Sequence, residues 1–408
     1  MEQVLNSLPD GWDWKAIEKV AQIGADRGFA PAPNSEGNVP FIGMTDIDQE
    51  TGQKSTYELR NFDDVKKGYT KFQRNAVLFA KITPCTENNK TALVDNLNGG
   101  FATTEVYPIH ALDSVEPKYL LHFFRSPSVR RFLIDQMEGA TGRQRVPLKV
   151  LKSVSVPVCE LHEQKRIVEK LDALLTRIDT AIEYLQESAT LKNSLLQSAL
   201  DGQFTSITER MTIESLAQVK GGKRLPKGEK LSDEETEHPY IRVADFTDKG
   251  TIDLSGIKYI SKEIHEQIKR YVISKDDLYI SIAGTIGKTG FVPPELHGAN
   301  LTENAAKLVI KDKQQLDLSY LYLFTLTSDF SAQAGLATKT VAQPKLALTR
   351  LSKIEIPMCS LQEQLSLVST IEALKRKIHD AETLLLGKIE DLRSLKASIL
   401  DSAFKGEL

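Results

Sequence analysis

The chain has little of what most enzymes and secreted proteins carry. Its 408 residues contain three cysteines, Cys85, Cys159 and Cys359. They form no C-x-x-C pair and no His/Cys cluster with zinc spacing, so they read as reduced structural thiols. The seven histidines, His110, His122, His162, His238, His265, His297 and His379, are scattered without an H-x-x-x-H pair. Nowhere does a Gly-x-Ser-x-Gly elbow present a serine nucleophile. No run approaches the ~20 apolar residues of a membrane span, and the N-terminus M-E-Q-V-L-N-S-L-P-D-G-W lacks a basic segment followed by an apolar core. A cytoplasmic protein with no membrane association is expected. Excess charge is also missing. The net charge is -3, with 19 basic and 19 acidic residues over 1–157 and 21 and 20 over 205–357. A protein that grips nucleic acid alone is usually basic, so either the cations cluster on one face or a partner supplies phosphate contacts.

Two catalytic leads fail on spacing. The stretch S-I-A-G-T-I-G-K-T at 281–289 follows a strand and looks like a phosphate loop, but the first glycine of Gly-x-x-x-x-Gly-Lys-Ser/Thr falls on Ile282. Base methylation would need a glycine-rich cofactor loop and an Asn/Asp-Pro-Pro-aromatic tetrapeptide, whereas the one Pro-Pro pair lies in V-P-P-E. The chain therefore reads as non-catalytic, and no cofactor or metal is expected.

What is present is a duplication. Pro157, Cys159, Leu161, Glu163, Gln164 and Val168 recur 200 positions later as Pro357, Cys359, Leu361, Glu363, Gln364 and Val368. Each copy opens a long stretch of heptad spacing. The first seam runs Val168, Leu171, Leu175, Ile178, Ile182, Leu185, Ala189, Lys192, Leu196 and Ala199. The second runs Leu367, Ile371, Leu374, Ile378, Ala381, Leu385, Lys388, Leu392, Leu395 and Ile399. Each spacing predicts a helix of about 40 residues, roughly 60 Å long. Ser360 with Glu363 has the form of a capping box, and Gly202 and Gly406 fit the left-handed position after a helix end. A long helix with a narrow apolar seam needs a partner, and the duplicate has matching length, so an intramolecular coiled coil is expected.

The flanking regions repeat weakly. I-E-K-V-A-Q-I (17–23) answers I-E-S-L-A-Q-V (213–219), and the short strands expected over 39–47 and 75–82 answer those over 238–246 and 276–283. Tyr119-Leu120 answers Tyr320-Leu321, each in an apolar patch of helical period. Short strands without regular crossover helices favour an α+β class over a doubly wound sheet. The expected fold is two similar α+β domains separated by two long antiparallel helices, in a pseudo-twofold internal repeat. The domains are 1–157 and 205–357; the helices are 158–204 and 358–408.

Between framework residues the two domains differ almost completely, which suggests related jobs on different targets. Their loops are polar and unevenly basic. In the first domain Lys81, Thr83, Thr86, Asn88, Asn89 and Lys90 fall in one loop, and Arg143, Gln144 and Arg145 in another. Counterparts in the second are Gly221, Lys223 and Arg224, then Thr285, Gly287 and Lys288, then Thr338, Lys339 and Lys345. Arg, Lys, Asn and Gln match base edges in the major groove, and glycines let amides approach phosphates. Solvated surface loops are the bland alternative, and about half of these residues are expected to touch DNA.

Two divergent domains of about 150 residues, each followed by a helix opening Pro-x-x-x-Leu-x-Glu-Gln and closing near Gly-Gln-Phe or Gly-Glu-Leu, resemble the specificity subunit of type I restriction-modification systems over the full length. K-I-T-P-C-T-E-N-N-K and T-G-R-Q-R-V-P look like target-recognition stretches of that family. The resemblance implies two target recognition domains on double-stranded DNA, each reading one half of a split, asymmetric site, with the paired helices as a ruler. It also implies docking of two methyltransferase subunits, which the motor-nuclease subunits join, and it places Leu161, Glu163, Gln164, Leu361, Glu363 and Gln364 at the helix starts facing a partner. A different class also fits the charge balance: a coiled-coil scaffold whose two adaptor domains bind peptides or proteins.

Overall fold

The computed structural model describes residues 3, 5–53, 56–335 and 345–408. Contacts divide the chain into two compact units, Met1–Glu187 with Leu385–Leu408, and Ser188–Leu384. Each unit thus joins one globular domain to part of both long helices, whereas the sequence partition gave each helix to one linear segment.

In the first unit, one sheet orders its strands Ala21–Ile23, Val106–Ala111, Ala76–Ala80 and Thr91–Val94, all antiparallel. Ala76–Ala80 is interior and buried at every position, which is why A-V-L-F-A reads as a continuous apolar run. A second sheet orders Glu58–Asn61, Asn38–Ile42, Gly99–Ala102 and Thr70–Gln73, with Asn38–Ile42 parallel to Gly99–Ala102. Asp13–Ala16 pairs with Ser155–Val158 just before the first long helix.

The second unit repeats this plan. Ala217–Gly221, Ala305–Ile310, Leu278–Ser281 and Thr289–Phe291 form the antiparallel sheet. Lys258–Tyr259, Pro239–Ile241 and Asn300–Leu301 form the other, again with one parallel pair. Arg210–Thr212 pairs with Glu355–Pro357. The expected strands at 39–47 and 238–246 are shorter than their apolar runs. Each stops at a tight 3₁₀ turn held by an aspartate, Asp46 accepting from Gly43 N at 2.7 Å and Asp245 from Arg242 N at 2.7 Å.

The long helices span Leu161–Thr190, Lys192–Thr205 and Leu361–Ala403. The single helix expected over 158–204 is thus interrupted at Leu191, and Gly202 lies inside a helix rather than after one. Gly406 does take the left-handed conformation, with φ 76°. In the first unit the helices run antiparallel: Arg166 donates to Leu408 O at 2.7 Å, Lys396 Nζ lies 2.6 Å from Asp179 Oδ1, and Ile178 and Ile182 pack with Ile389. In the second unit Lys192 meets Glu382 in an ion pair with the same antiparallel register. The first helix follows its expected seam. The second departs from it, because Ala381, Lys388 and Leu395 are exposed while Glu382, Ile389 and Lys396 turn inward.

The start of each helix is clamped by its buried glutamine. Gln164 accepts from Glu116 N at 3.0 Å and donates to Ser114 O and Cys159 O at 3.1 and 2.8 Å. Gln364 accepts from Asp317 N at 3.0 Å and donates to Gln315 O and Cys359 O at 2.8 and 3.0 Å. Tyr119 and Tyr320 donate to Pro157 O and Pro357 O at 2.8 and 2.7 Å. About two turns on along the first helix, Asp172 receives Lys118 Nζ at 2.8 Å and His122 Nε2 at 2.9 Å. Burial acts to raise its pKa, but the bonds from His122 and Lys118 outweigh it and leave the carboxyl below its usual range. Asp172→Asn is expected to cost about 1 kcal/mol at neutral pH. A carboxyl with a depressed folded pKa stabilises fully above its unfolded pKa and loses that contribution as pH falls through the folded one. Urea midpoints of the two proteins should therefore differ at pH 7 and converge in acid; an equal gap at both would remove Asp172 from the account.

Candidate nucleic-acid interface

In the first domain the two basic stretches separated in sequence form one surface. The loop after Ala76–Ala80 winds into a tight turn: Thr86 N bonds Ile82 O at 3.0 Å, Asn88 N bonds Pro84 O at 2.9 Å, and Asn89 has φ 57°. The segment 138–146 lies along it. Thr83 N and Oγ1 both donate to Gln144 O at 3.0 Å, and Val146 N donates to Lys81 O at 2.8 Å.

Side chains on this surface divide into those left open and those already engaged. Asn88 and Arg143 are exposed, and Gln144 is half-buried. Lys81 Nζ lies 4.6 Å from the Tyr107 ring centroid, and burial holds its pKa below the usual lysine value. Arg145 forks onto Glu105, Nε to Oε2 at 2.9 Å and Nη2 to Oε1 at 2.8 Å. The bonds from Arg145 keep the Glu105 carboxyl below the usual carboxylate range. Lys90 Nζ donates to Met44 O at 2.7 Å. Thr86 is a correction: it is buried with its hydroxyl donating to Ala80 O at 3.0 Å, so it holds the loop and does not face a ligand.

Beneath the loop lies Arg125, buried without a carboxylate on its fork. Its guanidinium donates to four carbonyls, Asn89 at 3.3 Å, Thr91 at 3.1 Å, Gln49 at 3.0 Å and Glu50 at 2.8 Å. Burial pushes its pKa down to about 10, still high enough to leave it charged at neutral pH. Gly52 admits it: with φ 71°, a Cβ there would stand 2.8 Å from Arg125 Cδ.

The second domain builds a comparable surface from different residues. Gly221 ends a strand, and Gly222 passes so close to the segment after Asn300–Leu301 that a Cβ would stand 2.0 Å from Thr302 O. Lys223 N bonds Leu301 O at 2.8 Å, and its Nζ lies 5.7 Å from the Tyr271 ring centroid. Arg224 Nε lies 2.6 Å from Glu303 Oε1. Burial acts to raise Glu303, and the bond from Arg224 leads the contacts that outweigh it and hold the carboxyl low. The 281–288 loop meets the same place, since Ile282 N and Ala283 N donate to Asn304 O at 2.8 and 3.2 Å. That loop closes on itself: the Ser281 hydroxyl bonds Thr285 O and accepts from Lys288 N, with Gly284 and Gly287 at φ 77° and 90°. Lys288 Nζ pairs with Asp248 at 2.7 Å. Leu346 N bonds Ile282 O at 2.9 Å and sets the exposed Lys345 beside the loop. Thr338 and Lys339 lie outside the described residues.

The helix-start residues serve the fold. Gln164 and Gln364 are wholly buried, out of a partner's reach. Arg166 forks onto Glu163 at 2.7 and 2.8 Å, and Glu363 accepts from Ser360 N at 2.9 Å while Ser360 Oγ accepts from Glu363 N at 3.4 Å, which completes the expected capping box. Leu161 stays exposed and Leu361 is half-buried. Sequence reasoning missed Glu105, Glu303, Asp248 and Arg125. The acids carried a faint signal, since Thr103-Thr104-Glu105 and Thr302-Glu303 both follow a repeated strand.

Among the described residues no cluster of three or more His, Cys, Asp and Glu side chains is arranged for a metal, and no helix is long and apolar enough to cross a membrane. The geometry defines a duplicated protein: one α+β scaffold built twice, each copy presenting its own polar loops and each unit holding antiparallel stretches of the two long helices. The chain belongs to the family of type I restriction modification DNA specificity domains, whose model matches residues 9–192 and 208–390. It is 31% identical over 214 residues to the EcoAI type I restriction enzyme specificity subunit of Escherichia coli, a match spanning 52% of this chain and 35% of that relative. Against the EcoBI specificity subunit of Escherichia coli it is 25% identical, covering 100% of this chain and 89% of the relative. The fold is similar to the HsdS subunit from Thermoanaerobacter tengcongensis, with TM-score 0.66, 21% identity and full coverage of both chains. It is also similar to a chain solved in work on assembly and conformational transition of the type I R-M system, with TM-score 0.74 and 21% identity over 99% of this chain and 100% of that one.

Proposed function

We propose that this chain is the DNA-reading subunit of a type I restriction-modification complex and has no catalytic activity of its own. Each target recognition domain reads one half of a bipartite, asymmetric site on double-stranded DNA. The paired helices set the spacer and dock two methyltransferase subunits, and motor-nuclease subunits join through that complex. The observation carrying this reading is that two like scaffolds bring unlike basic loops to corresponding places: Lys81 O receives Val146 N in one domain and Ile282 O receives Leu346 N in the other. Family membership supports the substrate, and balanced charge supports a partner that shares the hold on DNA.

The test is to exchange residues 205–357 for the corresponding domain of another family member, express the chimera with the methyltransferase, and sequence the methylated sites. One half-site should change while the other half and the spacer length stay. A change in both halves would defeat the modular reading, and a changed spacer with both helices retained would defeat the ruler.

A further inference from the structure

Three cations of the candidate reading surfaces are held by acids of their own domain: Arg145 by Glu105, Arg224 by Glu303 and Lys288 by Asp248. These pairs are not needed to shape the loops, because main-chain bonds already do so. Thr83 to Gln144 and Val146 to Lys81 fix the first surface; Lys223 to Leu301 and Gly222 to Ala305 fix the second. Nor are the two glutamates equivalent by descent from the repeat. Strand register aligns Ala102 with Leu301, because Ile42 pairs with the former and Ile241 with the latter. Glu303 therefore matches Thr104, one residue off Glu105. The cations also arrive from opposite ends of their domains. The same pairing has been built twice from different residues, on loops that otherwise share almost nothing.

We propose that Glu105 and Glu303 are specificity-determining residues that keep the reading arginines from serving as general phosphate clamps; this rests on the DNA-reading function above. A bare guanidinium on the surface binds phosphate wherever a duplex offers one, and that term carries no sequence information. With Glu105 on its Nε and Nη2, Arg145 meets a phosphate already neutralised and with a carboxylate beside it. The pair is not closed to bases. Arg145 Nη1 remains a donor, the Glu105 oxygens keep lone pairs, and the arginine is about half exposed. That mixed edge of donor and acceptor fits the major-groove face of a base pair, where a carboxylate accepts from cytosine N4 and a guanidinium donates to guanine. Arg224, more exposed still, presents the same combination with Glu303. The acids thus lower binding to arbitrary duplex more than binding to the right half-site.

The test uses the full chain assembled with its methyltransferase, and two duplexes: one carrying the site read from methylation sequencing, one lacking it. Glu105→Gln and Glu303→Gln should each tighten the Kd for the site-free duplex by about two- to fivefold, the scale of an exposed ion pair. The slope of log K against log salt should steepen by about 0.9 for each phosphate newly contacted. Affinity for the specific site should not improve, so discrimination falls. Adding Arg145→Gln to Glu105→Gln should return the site-free Kd and salt slope to the wild-type values. Unchanged site-free affinity in both variants, or equal changes on both duplexes, would overturn the proposal while leaving the DNA-reading function standing. A wild-type complex that does not distinguish the two duplexes would overturn both.

Discussion

Gln164→Leu is expected to lower the stability of the first unit by about 3 to 5 kcal/mol, and Gln364→Leu to do the same to the second. Both side chains are fully buried and spend both amide donors and one acceptor lone pair on main chain. Gln164 joins the segment before the Pro117–Arg125 helix, through Ser114 O and Glu116 N, to Cys159 O at the start of the long helix. Leucine fills a similar volume, so little is lost in packing. It leaves one amide and two carbonyls without partners in a place closed to solvent, each costing roughly 1 to 3 kcal/mol, part of which local relaxation recovers. Urea denaturation of the full chain should show one early transition in each single variant. A loss below about 1 kcal/mol would mean that the glutamine is not the clamp. Gln164→Glu separates shape from hydrogen bonding, because it keeps the acceptor but removes the two donors and buries a charge.

That clamp shows where the sequence stops being readable. Leu-x-Glu-Gln was conspicuous because it recurs, and recurrence pointed to the helix start. Nothing in the motif pointed to Ser114 or Gln315, about 50 positions upstream, so the glutamines looked like partner contacts. The coiled coil was legible for a related reason and misread for another. Apolar spacing locates the first seam residue by residue, because there the buried positions are apolar apart from Lys192. Along the second helix Glu382 and Lys396 occupy seam positions, answered by Lys192 and Asp179 across the coil. A pattern scored on apolarity shifts by one residue to avoid them, and so lands on Ala381, Lys388 and Leu395. On the candidate reading surfaces the glycines, amides and cations stood out as residue types. The acids that neutralise those cations did not, since Glu105 and Arg145 meet only after the 81–90 loop and the 138–146 segment have folded together. Thr86 illustrates the converse, a polar loop residue whose hydroxyl is consumed by the carbonyl of Ala80.

Phe404→Ala is expected to destabilise the first unit by about 3 to 5 kcal/mol and to loosen the end of the last helix before the rest of the chain opens. Phe404 is buried, with its ring centroid 5.1 Å from that of Tyr119 and 5.4 Å from that of Phe123, both in edge-to-face packing. Three residues earlier Asp401 accepts from Ser128 N at 3.1 Å and from its hydroxyl at 2.8 Å. A phenylalanine and an aspartate one turn apart thus anchor residues 385–408 to a domain that begins the chain. The second unit has the same anchor 200 residues earlier, Phe204 against Tyr320 and Phe324 at 5.0 and 5.7 Å, with Asp201 on Ser328 N and Oγ at 2.8 and 2.7 Å. Truncation to alanine loses the transfer free energy of the ring and leaves a void beside Tyr119 and Phe123, which the backbone bonds of the Pro117–Arg125 helix hold in place. The coil cannot absorb the loss: in this unit Ile178, Ile182 and Ile389 form a small cluster, and the Asp179–Lys396 pair contributes little net stability once desolvation is counted. Hydrogen exchange should therefore rise first over 385–404 in Phe404→Ala, while Phe204→Ala should raise it first over 192–205. Uniform loss of protection in either variant, or a change in urea stability below about 1 kcal/mol, would show that the aromatic anchors do not hold the helix ends.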